Sequence, residues 1–173
     1  MYAIAVTQPT KMLRNLASWL DKAAAYAEER SFSPENLVQA RLAPDQFTLV
    51  RQVQSACDTA KFLASRLCEL EAPSFPDEEK TFDEVKKRIA DTLAFLDSVE
   101  ESALGDFADR ELKLSFLPEG SWVRADDYME QFAIPNFYFH VSMAYAILRH
   151  NGVPLGKRDY LGSLPIQGTG EAS

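Results

Sequence analysis

Apolar residues recur at helical spacing in four segments of the chain, which predicts four long amphipathic helices. Thr7 is expected to cap the first helix, with Pro9 tolerated in the first turn, and the helix should end near Glu29. The second helix follows Pro44, and its apolar positions begin at Phe47.

The third and fourth helices have clearer boundaries. Residues 71–80 contain two prolines and are expected to form a loop. Thr81 and Glu84 then form a capping-box pattern at the start of the third helix. The fourth helix should run from about Pro135 to His150, and because it is apolar on nearly every side, we expect it to be buried centrally.

The period of the apolar residues changes between the third and fourth helices. Residues 105–125 alternate in polarity around a Pro-Glu-Gly turn, which is typical of a small β-hairpin, although an irregular loop is also compatible. Residues 126–127 can begin a short helix, and residues 153–173 are expected to be extended. The chain is therefore predicted to be all-α, with one four-helix bundle domain at residues 1–162 and a flexible tail at residues 163–173.

Charge and apolar content narrow the partners and the location. The 173 residues carry a formal net charge of −8, which disfavours binding to nucleic acid or to an anionic membrane surface. The longest apolar stretch, residues 137–148, is too short to span a bilayer, and no export signal is evident. Cys57 and Cys68 lie in apolar surroundings, as small core residues do in a reducing compartment. We expect a cytoplasmic protein.

His140 is the residue with the most chemical interest, because it lies within the apolar fourth helix. Asn136 is four residues earlier and shares its face. One interpretation is a core histidine whose ring is hydrogen-bonded by a side chain such as Gln54 or Asp58. The other is a metal ligand or a general base.

Polar residues also interrupt the stripe of the second helix. Gln54, Asp58 and Lys61 are spaced four and three apart and form one strip. This strip is either a solvated face with an Asp58–Lys61 ion pair or the wall of a polar pocket that faces His140.

Two runs of sequence carry a family resemblance that extends to about Gly162. The first run comprises Ala43-Pro44-Asp45, Arg51-Gln52-Val53-Gln54, Ala56-Cys57-Asp58 and Ala60-Lys61; the second comprises Pro135-Asn136-Phe137-Tyr138-Phe139-His140, Ala144-Tyr145, Leu148-Arg149-His150-Asn151-Gly152-Val153, Gly156-Lys157 and Asp159-Tyr160-Leu161-Gly162. Together they resemble a bacterial family of unknown function within the DinB/YfiT-like metalloenzyme superfamily.

The resemblance implies a four-helix bundle, often dimeric, and a site for a divalent metal such as zinc or nickel. Many members of the superfamily hold the metal with one histidine on the second helix and a His-x-x-x-His pair on the last helix, and some are thiol-dependent transferases. In this chain His140 matches the second histidine of the pair and Asn136 matches the first. Gln54, or Gln52 in another register, matches the histidine of the second helix. Amides therefore replace two of the three ligands, and amides bind zinc or nickel weakly.

Three functions are compatible with these residues. The leading hypothesis is a degenerate metal pocket that binds a small molecule among Gln54, Asp58, Asn136 and His140. The second is a metal-dependent enzyme, a thiol transferase or hydrolase, with the metal held by His140, Asp58, Gln54 and water. The third is a structural protein that acts by forming a homodimer.

Overall fold

The computed structural model describes residues 1–167, so the last six residues of the predicted flexible tail lie outside the described residues. The helices are α1 (Gln8–Glu29), α2 (Glu35–Val38), α3 (Leu49–Cys68), α4 (Phe82–Asp97), α5 (Ala125–Asp127), α6 (Ile134–His150) and α7 (Lys157–Leu161). Two short strands are β1 (Glu111–Leu112) and β2 (Val123–Arg124). Single π-helical turns occupy Ala3–Thr7 and Tyr128–Ala133, and a 3₁₀ turn occupies Glu101–Leu104.

The four long helices α1, α3, α4 and α6 form the predicted bundle, and α3 is its central element. Fifteen of the 20 residues of α3 are buried, because α3 packs against α4 on one side and α6 on the other. The expectation that the last helix is the central one is wrong, since α6 leaves Phe139 exposed. The polar residues of α3 therefore lie between two packed helices.

The starts of two helices differ from the sequence prediction. Thr7 has helical backbone angles and makes no capping hydrogen bond, because the π-helical turn of residues 3–7 runs directly into α1. Phe47 lies before α3 rather than on its buried stripe, and 49% of its side chain surface is exposed.

The start of α4 is as predicted. The amide N–H of Glu84 donates to Oγ1 of Thr81 at 3.2 Å, and the amide of Thr81 donates to the Glu84 carboxylate at 2.9 Å. This reciprocal capping box satisfies two of the amides that a helix start leaves without partners.

The last long helix begins earlier than Pro135, because α5 and the π-helical turn of residues 128–133 lead into it without a break. Pro135 therefore lies in the first turn of α6, directly after the π-helical turn.

The segment between α4 and α5 combines the two predicted alternatives. β1 and β2 form an antiparallel pair with only two residue pairs, Glu111 with Arg124 and Leu112 with Val123, and the chain between them is irregular. Phe116 from this irregular part stacks on Phe132 at 5.0 Å between ring centroids. The hairpin is therefore held against the turn that precedes α6.

The chain after α6 is not simply extended, as the sequence predicted, because it forms α7 and packs against α1. Indole Nε1 of Trp19 donates to the backbone carbonyl of Asp159 at 3.0 Å. Gly162 has φ of 66°, and a Cβ atom there would lie 2.6 Å from the Asn15 amide oxygen. Only glycine fits this close approach.

Across residues 1–167, the structure contains no helix that combines the length and the apolar content needed to cross a membrane.

Candidate functional site

His140 lies on α6 and faces α3, with 7% of its surface exposed, so its predicted burial is confirmed. Its Nδ1 lies 2.7 Å from Oε1 of Gln52. The prediction that a side chain such as Gln54 or Asp58 is the hydrogen-bond partner of His140 is therefore wrong. Gln52 and Gln54 lie on opposite sides of α3, because two residues turn a helix through about 200°.

The orientation of the Gln52 amide determines which ring nitrogen carries the proton. Nε2 of Gln52 is 3.5 Å from the Phe47 carbonyl, to which it donates, and this contact turns Oε1 towards the ring. Nδ1 of His140 must then be the protonated nitrogen, and Nε2 keeps its lone pair.

Solvent reaches the second ring nitrogen. Among the described residues, Arg88 Nε is the one buried side-chain nitrogen or oxygen without a hydrogen-bond partner. His140 Nε2 has no hydrogen-bond partner among the described residues either. Because it is not one of the buried atoms without a partner, part of its surface must be accessible to solvent. The ring therefore presents an unprotonated nitrogen that a ligand can reach.

The surroundings of the ring favour its neutral form. Burial lowers the pKa of His140, and the positive charge of Arg51 lowers this pKa further. The ring is parallel to Phe47, with 6.2 Å between centroids, and meets the edge of Phe139 at 5.2 Å. The two aromatic rings orient the plane of the imidazole, and burial together with Arg51 favours its neutral form.

An open cleft of about 310 Å³ lies beside His140, between α3, α6 and the hairpin segment. We call it the His140 cleft. Its lining consists of Ser55, Asp58, Thr59, Phe62, Arg66, Ser115, Phe116, Tyr128, Phe132, Asn136 and His140. Three of the four residues predicted for a pocket, Asp58, Asn136 and His140, are therefore brought together, and Gln54 is not among them.

The amide of Asn136 is also held in one orientation. Its Nδ2 donates to Oγ1 of Thr59 at 2.8 Å, and that hydroxyl donates to the backbone carbonyl of Ser55 at 2.7 Å. Because the Asn136 nitrogen faces α3, its carbonyl oxygen is the amide atom left for the cleft.

Gln54 lies on the α4 side of α3. Its Oε1 accepts from Arg51 at 3.2 Å, and its Nε2 donates to Glu79 at 2.7 Å. Both ends of the side chain are occupied, so Gln54 contributes to the packing of the loop at residues 71–80 and not to the His140 cleft.

A group of charged residues occupies that same side of α3. Arg88 of α4 contacts Asp58 at 2.7 Å, Glu79 at 3.0 Å and Asp77 at 3.3 Å, and Lys61 contacts Asp58 at 2.8 Å. We call these five residues the Arg88 cluster. The expected Asp58–Lys61 pair is present. However, the expectation of a solvated strip is wrong, because Lys61 is only 2% exposed.

Arg88 was not predicted to be part of a polar or charged site. The available indication was its position, since it follows Val85 by three residues and precedes Ile89 on the buried face of α4. A cation on that face required acidic partners from elsewhere in the chain.

The residues present do not fit a divalent-metal site. A catalytic zinc site uses about three protein ligands, and within residues 1–167 no group of three or more His, Cys, Asp or Glu side chains is arranged so that it could hold a metal ion. Asp58 already pairs with two cations through Oδ1, and Gln54 is on the other side of α3. His140 remains as a single imidazole donor flanked by amides.

Comparison with known proteins identifies the class of protein. The chain is similar to a solved structure described as a DinB family member protein from Shewanella denitrificans, with 42% sequence identity and a TM-score of 0.92 over 97% of this chain and 95% of that one. The fold is thus a DinB-like helical bundle with an insertion, as the sequence resemblance predicted.

Residues 1–161 match the family described as a domain of unknown function, DUF1993, and the chain belongs to that family. No curated protein matches the chain.

Proposed function

We propose that this protein binds a small molecule in the His140 cleft. The observation that carries the proposal is the position of the His140 ring: Gln52 holds Nδ1 inside the protein, and Nε2, which has no hydrogen-bond partner among the described residues, reaches accessible space. A buried imidazole with a purely structural role would have both nitrogens satisfied inside the protein.

The atoms that face the cleft define what it recognises. Nε2 of His140 and the carbonyl oxygen of Asn136 both accept hydrogen bonds, so the ligand should carry an O–H or N–H donor. Phe62, Phe116 and Phe132 supply aromatic wall, which favours a flat apolar body. The volume, about 310 Å³, is at the lower end of the usual range for small-molecule sites.

A fragment screen by ligand-observed NMR tests the proposal, with compounds that combine one aromatic ring and one hydroxyl or amine. We expect members of the set to bind the wild-type protein. In separate ¹⁵N spectra of the labelled protein, the bound compounds should shift the resonance of His140 Nε2. His140→Phe keeps a flat buried ring and removes the acceptor, and it should lose these ligands.

His150→Phe is the matched control, because His150 is exposed at the end of the same helix. This variant should bind as the wild type does. Fragments that bind His140→Phe and wild type equally, or a set in which nothing binds, would contradict the proposal.

The metal-dependent alternative has less support, because the cleft lacks a ligand set. Elemental analysis after incubation with zinc or nickel distinguishes it. One equivalent of metal that is lost in His140→Ala would favour the enzyme, whereas equal metal content in both proteins would exclude His140 as a ligand.

Homodimer formation is a second candidate, supported by the exposed apolar side chains beside the cleft. Phe132 lies in the π-helical turn that runs into α6, Phe139 lies on α6, and both side chains are more than 40% exposed. Sedimentation velocity over a hundredfold concentration range tests this. A dimer that Phe139→Ser weakens would support it, and a monomer at every concentration would contradict it.

A further inference from the structure

Arg66 lies in the His140 cleft on the same face of α3 as Thr59, and its guanidinium is in contact with two aromatic rings. Its Cζ atom is 4.8 Å from the centroid of Phe62 and 5.1 Å from that of Tyr128. Its Nη1 donates to the Tyr128 hydroxyl at 2.6 Å. The guanidinium is therefore held flat, and the rest of its N–H edge is left open.

No acidic side chain pairs with Arg66 within residues 1–167. The one acidic residue in the lining of the cleft is Asp58, and its charge is already compensated by Lys61 and Arg88. Removal of a guanidinium from water is unfavourable without a compensating partner, and the two aromatic faces supply only part of the compensation. A half-buried, immobilised cation in an acidic protein of net charge −8 is therefore complementary to an anion that enters the cleft.

The shape of this group favours a planar anion. The two rings and the Tyr128 hydroxyl hold the guanidinium in one orientation, and the N–H groups that Tyr128 does not take up match a carboxylate with two parallel hydrogen bonds. Arg66 is seven residues from Thr59, which places it about 10 Å along α3 from the hydroxyl that holds Asn136.

We infer that the ligand of the His140 cleft is an aromatic carboxylic acid, with its carboxylate on Arg66 and a hydroxyl or amine donor directed to His140 and Asn136. This inference rests on the proposed function and adds the anionic group to it.

Two matched pairs of compounds test the inference: 3-(4-hydroxyphenyl)propanoate with 3-(4-hydroxyphenyl)propan-1-ol, and benzoate with benzyl alcohol. In titration calorimetry of the full chain we expect each acid to bind at least about tenfold more tightly than its alcohol, because a charge-assisted hydrogen bond is lost in the alcohol. Arg66→Met keeps the packing between the rings and should remove this difference, whereas Arg66→Lys should retain part of it.

Lys113→Met is the control, because it removes one exposed positive charge from the hairpin without touching the cleft. It should leave the preference for the acids unchanged, and circular dichroism should show that all the variants are folded. Equal binding of acid and alcohol, or a preference that survives Arg66→Met, would overturn the inference and leave the proposed function intact. If neither acids nor alcohols bind, the proposed function fails and this inference fails with it.

Discussion

The two sides of α3 differ in how their polar atoms are satisfied. On the α4 side, the Arg88 cluster brings two cations and three carboxylates together, and the loop at residues 71–80 supplies two of the acids. On the α6 side, the polar groups in direct contact with the His140 ring or Asn136 are amides and hydroxyls, the Arg66 guanidinium in the same cleft has no acidic partner among the described residues, and some of these atoms face open space.

The difference separates a structural site from a candidate binding site. Phe75 of the loop at residues 71–80 packs on the Arg88 cluster: its ring centroid lies 4.6 Å from Lys61 Nζ and 4.9 Å from the Arg88 guanidinium. The charged groups of the cluster are paired with one another within the protein. The His140 cleft is incomplete on its own, and we interpret that incompleteness as room for a ligand.

The largest effect is expected when the central cation on the α4 side of α3 is removed. Arg88→Met leaves Asp58 with Lys61 and Asp77 with Arg51 as their remaining cations, and it removes the one ion pair that Glu79 makes among the described residues. Loss of one partner of a buried charge network costs about 3 kcal/mol. Urea unfolding should show this loss of unfolding free energy.

Lys87→Met is the control for that variant, since Lys87 is an exposed neighbour on α4 whose ion pair with Asp91 contributes less than about 0.5 kcal/mol. A loss below about 1 kcal/mol in Arg88→Met would show that the cluster is not the structural side of α3.

The second test removes the hydrogen-bond partner of His140. Gln52→Leu leaves the Nδ1–H of a buried imidazole without an acceptor, which we expect to cost about 2 kcal/mol of unfolding free energy. The ring should also lose its single tautomer, which ¹⁵N spectra of histidine detect directly.

Ser55→Ala is the comparison for Gln52→Leu, because Ser55 also lines the cleft, but it is its backbone carbonyl, and not its side chain, that accepts the hydrogen bond from Thr59. It should change stability by less than about 0.5 kcal/mol. A similar effect of both variants would argue against a specific role for Gln52.

The smallest effect should appear in the pH dependence of stability. The pKa of His140 is lowered in the folded chain by burial and by Arg51, so between that value and about 6.5 the unfolded chain binds more protons than the folded chain. Stability should therefore fall as the pH falls through this window, and the His140 contribution should be level above it.

Unfolding free energies of wild type and His140→Phe, measured from pH 7.5 to 5, isolate that contribution. The variant should have a shallower slope below pH 6.5 than the wild type. Parallel curves for wild type and His140→Phe would show that the ring is not shielded from protonation.

Much of the fold follows from local sequence, and the residues show why the site does not. Apolar spacing fixes the four helices, and Thr81 and Glu84 fix a helix start, because these depend on neighbours within one or two turns. The choice of Gln52 as the His140 partner depends instead on how α6 is rotated against α3. That rotation is set by packing across the whole bundle and not by either helix alone.

The Arg88 cluster escaped prediction for a related reason. Its carboxylates Asp77 and Glu79 come from a loop whose path the apolar pattern does not constrain. The short helix α7 also depends on distant contacts, since Trp19 and Lys22 of α1 hold it through Asp159.

The most direct test of the account is the ¹⁵N spectrum of the two histidines at pH 7, assigned by comparison with His150→Phe. We expect His140 to be neutral, with its proton on Nδ1. The resonance of its unprotonated Nε2 should shift when a ligand of the cleft is added. A ring protonated on Nε2, or on both nitrogens, would contradict it.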